Sequence, residues 1–261
     1  MSFSMVQSIE KKEGFTLRTM TYNIHSCIGL DKEVNPERIA SVIKEAKPDI
    51  VALQEVDKNI PRTRHQDQAE LLADILSMDA HFFPVVSSGN QKYGLAVLSR
   101  FKLTDVHRDW LPILYPKLKL NLQRRGCIRG TFQTPVGPVH FFNTHLSLYR
   151  LERRRQLQAL LGNDWLAGVP SDSAIIFCGD LNAGPFSPVY LRMSRILSDV
   201  QKGLQNSARP KATFPARRPL LRIDHMFVSS NFKVLNLKIP RTTESRLASD
   251  HLPIVAELEL N

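Results

Sequence analysis

A chain of 261 residues with 43% hydrophobic and 23% charged side chains has the composition of a soluble globular enzyme, and its apolar runs fall far short of the roughly 20 residues a spanning helix needs. Its net charge of +10 and pI near 9.7 favour polyanionic partners (nucleic acid, an anionic membrane surface or phosphorylated metabolites) without choosing among them. Three widely spaced cysteines, Cys27, Cys127 and Cys178, argue against a disulfide framework, and no repeat or linker divides the chain.

Residues 1–15 are polar and lack the apolar stretch of a secretory signal. They are read as an N-terminal segment, open to disorder, ahead of one domain over residues 16–261 in a cytoplasmic, monomeric protein. Thr16 to Ile24 alternates into an apolar stretch and predicts a strand ending at Asn23. Asn35-Pro36 opens a helix, with Asn as cap and Pro at the first helical position. Ile39, Val42, Ile43 and Ala46 share one face of it until Lys47-Pro48 stops it. A short buried strand follows at Asp49–Leu53. Gln68–Leu76 reads as a second helix, with Leu71, Leu72, Ile75 and Leu76 on one side.

The middle of the chain is strand-rich: His81–Val86, Leu95–Ser99, Ile128–Phe132 and Val139–Asn143, the last after a Gly137-Pro138 turn. Arg150–Trp165 carries the strongest helical pattern, basic outside, with Leu151, Leu157, Leu160 and Leu161 inward. Ala174–Cys178, Ile223–Val228 and Ile254–Leu260 read as further strands. Strands and helices mix without strict alternation, which predicts an α/β protein with two packed sheets and helices outside.

Five segments end an apolar strand in polar residues at a turn: Tyr22-Asn23, Leu53-Gln54-Glu55, Asn143-Thr144-His145, Gly179-Asp180-Leu181-Asn182 and Ser249-Asp250-His251. A sixth, Arg222-Ile223-Asp224-His225, sets its acid at a strand start. Strand ends are rigid platforms on which such side chains can converge. Glu55, Asp250 and the Asn23 amide offer the oxygens that a hard divalent cation prefers, and Mg²⁺ needs few protein ligands because it keeps several waters. Such a cation polarises a phosphoryl oxygen, histidines exchange protons near neutral pH, and amide donors hold a growing negative charge. Each residue also has an ordinary explanation. Glu55 alone could be solvated, Asp180 could close a turn, His145 could be a buried histidine satisfied by backbone, and Asp250-His251 could be a capped turn. His65, His81, His107 and His140 lack such partners and read as structural or surface residues.

The joint order decides between these readings. Thr-Tyr-Asn-Ile at 21–24, Leu-Gln-Glu-Val at 53–56, Tyr-Gly-Leu-Ala-Val-Leu-Ser at 93–99, Asn-Thr-His-Leu at 143–146, Gly-Asp-Leu-Asn at 179–182, Ile-Asp-His at 223–225 and Ser-Asp-His-Leu-Pro at 249–253 follow one another along the chain. In that order they resemble the endonuclease/exonuclease/phosphatase family, with its deoxyribonuclease-I-like fold, from about Thr19 to Glu257. The resemblance implies a four-layer α/β sandwich, two mixed sheets face to face with helices outside, and a Mg²⁺-dependent phosphoesterase in which Mn²⁺ can substitute. Glu55 would be the main metal ligand, with Asn23 and Asp250 close to the ion. Asp180 would position or deprotonate the attacking water, and Asn182 would hold that water or a phosphoryl oxygen. His251, paired with Asp224, would act as acid/base or phosphate contact, and His145 would donate to the phosphoryl group. The family is divided on whether the residue at Asp180 or that at His251 is the base. Leu95 departs from the polar residue that many relatives carry after the Tyr-Gly pair.

For the substrate, Asn143-Thr144-His145-Leu146 resembles the deadenylase, inositol-phosphatase and sphingomyelinase branches, and His145 speaks against the abasic-site DNA endonucleases. Phospholipid-type or small phosphorylated substrates, inositol phosphates among them, stand slightly ahead of nucleic acid. A nuclease is the alternative reading, and a scaffold without catalysis is a third. Arg62, Arg64 and His65, then Arg124, Arg125 and Arg129, then Lys211, Arg217 and Arg218 within Arg209–Arg222, could rim a cleft and bind phosphates or could be solvated charge. Phe214 is the best candidate among them to stack on a base.

Overall fold

The computed structural model describes residues 15–114, 123–203 and 211–260. The expected disorder of the N-terminal segment up to residue 14, and Arg209, lie outside them. Two parallel strand pairs organise the rest. β1 (Phe15–Asn23) lies parallel to β2 (Ile50–Lys58), joined by the crossover helix α1 (Pro36–Ala46). β7 (Gly137–His145) lies parallel to β8 (Ala174–Asp180), joined through α3 (Arg150–Leu160). Parallel neighbours need such long crossovers, and the crossover fixes the C-terminal ends of both partners at one edge of the sheet.

Antiparallel strands complete each sheet. The chain supplies α2 (Gln68–Leu76), β3 (Asp79–Ser88), β4 (Gln91–Ser99), β5 (Leu103–Trp110) and β6 (Gly126–Thr134) before β7. After β8 come α4 (Pro188–Met193), β9 (Ser198–Asp199), β10 (Asp224–Val228), β11 (Phe232–Lys238), α5 (Thr243–Ala248) and β12 (Ile254–Leu260). The two six-stranded sheets have the orders β11-β12-β1-β2-β4-β3 and β5-β6-β7-β8-β10-β9.

Side-chain alternation divides the apolar residues among three layers of contact. Ile50, Ala52, Leu95 and Val97 of the first sheet meet Phe141, Ile176, Cys178 and Met226 of the second in a core between the sheets. The intervening residues Val51, Leu53, Ala96 and Leu98 turn outward to Ile39, Ile43 and Leu72 on α1 and α2. On the far side Phe142, Ile175, Phe177 and Phe227 pack under Leu157, Leu160 and Met193 of α3 and α4. Helix, sheet, sheet, helix is the four-layer sandwich that the motif order implied. The central strands read as near-continuous apolar runs because both of their faces are covered. All three cysteines are buried and free, and no helix among the described residues is long and apolar enough to cross a membrane.

Two helices differ from their expected faces for one reason: each turns a polar residue inward to anchor a loop. On α2 the buried face is Gln68, Ala69, Leu72 and Ala73, while Leu71 and Leu76 are half-buried and Ile75 is exposed. Gln68 is drawn in because its Oε1 accepts from the Asp57 backbone N–H at 2.9 Å and its Nε2 donates to the Ser26 carbonyl at 2.6 Å. On α3, Ser147 donates its hydroxyl to Glu152 and its backbone N–H to Gln156, both at 2.9 Å. That rotation leaves Leu151 outside, and the helix ends at Leu160 instead of Trp165, followed by turns at residues 162–165. The unexpected β5 and β11 are edge strands, where half-exposure erases the apolar pattern.

One polar bridge crosses the inter-sheet core. Asn143 on β7 donates to the carbonyls of Leu53 at 2.9 Å and Ala96 at 2.8 Å, on β2 and β4, and accepts from Gln54 Nε2 at 2.8 Å. Asn143 and Gln54 are fully buried, so water cannot replace these bonds. Replacing Asn143 with Ala removes all three of these buried bonds, although Gln54 Nε2 keeps its 3.1 Å donation to the Thr21 hydroxyl, and we expect a loss of about 3 kcal/mol in urea unfolding. A change below about 1 kcal/mol would show that the bridge does not fasten the sheets.

Candidate active site

The parallel pairs put Asn23 at the end of β1, Glu55 near the end of β2, His145 at the end of β7 and Asp180 at the end of β8. β10 runs antiparallel to β8, so its first residue, Asp224, stands opposite Asp180 in register. Two local irregularities re-aim side chains here. A bulge in β2 between Gln54 and Val56 sets Glu55 at φ 60°, and the turn after β8 sets Asn182 at φ 48°. Bulges redirect side chains, and left-handed non-glycine residues persist where their surroundings hold them. Opposite the bulge, a Cβ on Gly94 would lie 1.9 Å from the Phe83 carbonyl oxygen, so the Tyr-Gly pair needs its glycine.

The Asn23 amide joins the two sheets at this edge. Its Nδ2 donates to Glu55 Oε1 at 3.0 Å and to Asp180 Oδ2 at 3.1 Å, while its Oδ1 accepts from the His25 backbone N–H at 3.1 Å. Ser249 donates its hydroxyl to the Asn23 carbonyl at 2.8 Å and thereby seats the neighbouring Asp250 beside this group. Asp180 Oδ1 accepts from the Asn182 backbone N–H at 2.8 Å, and Oδ2 lies 3.4 Å from His145 Nε2 and 3.8 Å from His251 Nε2. His251 Nδ1 is 2.9 Å from Asp224 Oδ2, an oxygen that also accepts from the Thr213 hydroxyl. The structure therefore brings together Asn23, Glu55, Asp180, Asn182, His145, His251 and Asp224, with Asp250 alongside.

Charge sorts the titratable groups apart. Burial raises Asp180, and Asp224 raises it further, to about 7. Burial alone would lower His251, but Asp224, Asp180 and Asp250 outweigh it and lift the ring to about 10. Burial and the adjacent Arg125 hold His145 well below its ordinary value, so this ring is neutral. Its tautomer follows. Arg125 Nη1 sits 3.0 Å from His145 Nδ1 and can only donate, so Nδ1 accepts and the proton is on Nε2, facing Asp180. The Asn182 amide is fixed by its 2.9 Å donation to the Leu146 carbonyl, leaving its 3.1 Å approach to Nε2 a close contact.

Arg125, Thr213 and Ser249 are the residues whose part the sequence did not reveal. Arg125 appeared only as one of several clustered arginines, yet it is buried against His145 while Arg124 lies 5.7 Å over Trp110. Arg62 grips the fully buried Asp57 through Nε at 2.8 Å and lies 5.8 Å over the Tyr93 ring. Arg222 is buried on Asp199. Phe214 lies against His251, ring centroids 4.8 Å apart, and most of its surface is already covered within the protein.

The donor chemistry suits a hard cation at the Glu55 side. Carboxylates of Glu55 and Asp180 already converge on one amide nitrogen, and oxygen is the only ligand type they and Asp250 offer. Asp180, Asp224 and His251 also present ligand atoms within 4.8 Å of one another, a possible acidic/histidine metal site. A cation there would have to displace the proton that Asp224, Asp180 and Asp250 stabilise on His251, whereas the Glu55 side offers oxygens alone. The raised His251 makes a stability prediction. Its folded value lies above the ordinary 6.5, so its contribution is complete below pH 6.5 and is lost as pH climbs towards 10. In EDTA, the stability advantage of the wild type over His251→Asn should shrink steadily across that window; an advantage that grows with pH reverses the assignment.

Comparison with known proteins bears on the family and the fold. Residues 20–251 match the profile described as the Endonuclease/Exonuclease/phosphatase family. The uncharacterized protein YbhP of Escherichia coli K12 is 25% identical over 96% of this chain and 99% of its own length. Among solved structures, the endonuclease/exonuclease/phosphatase of Beutenbergia cavernae DSM 12333 is 26% identical, with a TM-score of 0.74 over 94% of this chain and 72% of that one. The human Nocturnin catalytic domain, solved with a bound sulfate anion, is 25% identical, with a TM-score of 0.72 over 94% of each chain.

Proposed function

This chain belongs to the endonuclease/exonuclease/phosphatase family, whose members are generally hydrolases of phosphate esters, and we propose that it cleaves a phosphate ester by in-line attack of water at the Asp180 cleft. The observation that carries the reading is the position of Asp180: bonded to Asn23, which also holds Glu55, and 3.8 Å from His251. Mg²⁺, or Mn²⁺ in its place, held by Glu55 with Asn23 and Asp250 beside it, would supply Lewis-acid polarisation of a phosphoryl oxygen.

The roles of the chain's own residues follow from their protonation. Asp180, poised near 7, takes the proton of the attacking water, which His251 at about 10 cannot do near neutrality. His251 instead carries its proton towards the phosphoryl group, its ring oriented by Asp224. His145 Nε2–H and the Asn182 amide donate to phosphoryl oxygens, and Arg125 keeps the His145 proton on that side. Phospholipid-type or small phosphorylated substrates stay slightly ahead of nucleic acid on the Asn143-Thr144-His145-Leu146 motif, and the packing of Phe214 against His251 leaves less of its ring for a base.

An activity screen over phospholipids, inositol phosphates and oligonucleotides, with EDTA-treated enzyme as control, tests the assignment. We expect EDTA to abolish turnover and Asp180→Asn to cut it by about 10³-fold or more. The kcat/KM profile should rise with pH through about 7 as Asp180 ionises and fall near 10 as His251 loses its proton. Wild-type turnover by Asp180→Asn on the best substrate would falsify the role given to Asp180.

A further inference from the structure

Beside the cleft lies a groove of about 1180 Å³ between α3 and α4 whose character the hydrolytic site does not explain. Its walls start where the loops that leave the site run into α3 and α4. Leu148 follows His145 by three residues and Phe186 follows Asn182 by four, and the Asn182 amide ties these loops together at the Leu146 carbonyl. Large apolar side chains are exposed along it: Phe186 is 93% exposed and Leu151 60%, with Leu191 and Ile196 also exposed, and Leu148 at 69% and Tyr149 stand out of the loop just before α3. Arginines alternate with them. Arg150, Arg154, Arg192 and Arg195 line the groove, and no acidic residue does so among the described residues. Glu152, the acid in this stretch of helix, is buried on Ser147.

We propose that this face docks the enzyme on an anionic lipid bilayer, with the apolar rim side chains entering the headgroup–acyl boundary and the arginines pairing with lipid phosphates. A contiguous exposed apolar patch signals an interaction surface, and its interleaving with unopposed cations is the pattern of an interfacial element. Arginine stems lie along apolar surface while their guanidinium groups reach phosphate, so the two residue types suit one boundary. A polynucleotide would answer the arginines but gives nothing to Leu148, Leu151, Leu191 and Ile196, which gain only where hydrocarbon receives them. The docking face deepens the phospholipid reading above and places the cleft's opening beside the membrane plane, but bilayer binding itself does not require hydrolysis.

Flotation with vesicles of phosphatidylcholine alone and of phosphatidylcholine mixed with phosphatidylglycerol tests it on the full chain. We expect the protein to float with the mixed vesicles at least about tenfold better than with neutral ones. Leu151→Ser with Phe186→Ser should weaken that binding by about tenfold at unchanged charge, and Arg154→Gln with Arg192→Gln by about tenfold or more with a flatter salt dependence. Both pairs should keep wild-type hydrolysis of a soluble chromogenic diester, since neither touches the cleft residues. Absence of vesicle binding, indifference to lipid charge, or full binding by the Leu151/Phe186 variant overturns the proposal. Tighter capture of a labelled single-stranded oligonucleotide than of anionic vesicles overturns it in favour of a nucleic-acid face. Vesicle binding without any esterase activity leaves the docking face standing and removes the catalytic reading, so the two fail separately.

Discussion

The side-chain amide of Asn23 is where the two halves of this protein become one site. It sits at the last residue of a central strand in one sheet and holds a carboxylate of its own sheet, Glu55, and one of the facing sheet, Asp180, at 3.0 and 3.1 Å. Two acids this close repel each other unless something positive or donating stands between them. The amide supplies those donors, and its own oxygen is held by the His25 backbone N–H. Everything that follows depends on the sheets meeting in a fixed register, which the buried Asn143 bridge secures one layer below.

The second constraint is burial. Asp180, His145 and His251 are all buried in one pocket, yet burial and neighbours drive them to different states: a carboxyl raised towards neutrality, a histidine kept neutral and a histidine kept charged. The difference between the two histidines comes from their partners, a guanidinium on one and a carboxylate on the other. Such a split divides proton acceptor from proton donor without any conformational change. Backbone strain at Glu55 and Asn182 belongs to the same design, since straightening either turn would swing its side chain away from the cluster.

The proposed docking face shares its roots with this cluster. The loops that carry His145 and Asn182 inward continue outward as its rims, so the catalytic pocket and an apolar, arginine-rich surface are anchored by the same hydrogen bond to Leu146. Inward polar anchors explain why the surface exists at all: Glu152 and Gln156 occupy the buried side of α3 and leave Leu151 no place but the outside.

Local order in the chain was enough for two packed sheets with helices outside, and the resemblance carried by the motif order supplied the four layers and the cluster's members. Asn23, His145 and Asp180 close apolar strands, a local property that residue pattern encodes. Glu55 sits on a bulge inside β2 instead of at its end, Asp224 opens β10, and Asp250 and His251 lie between α5 and β12 instead of ending a strand. The helix cap at Asn35 and the ends of β1, β10 and β12 were legible from the same local pattern. β2, by contrast, runs on to Lys58 past its expected end at Leu53, because the bulge at Glu55 lets pairing with β4 continue. What lay beyond the sequence depends on distant neighbours. Nothing around Arg125 distinguishes it from Arg124, and only strand pairing turns one into the core against His145 and the other onto Trp110. The exposed Ile75 and Leu151 follow from Gln68 and Glu152 finding partners on other segments, a choice that helical periodicity cannot see. Protonation is likewise tertiary: His145 and His251 are the same residue type, and burial together with one cross-chain partner each decides which of them carries charge.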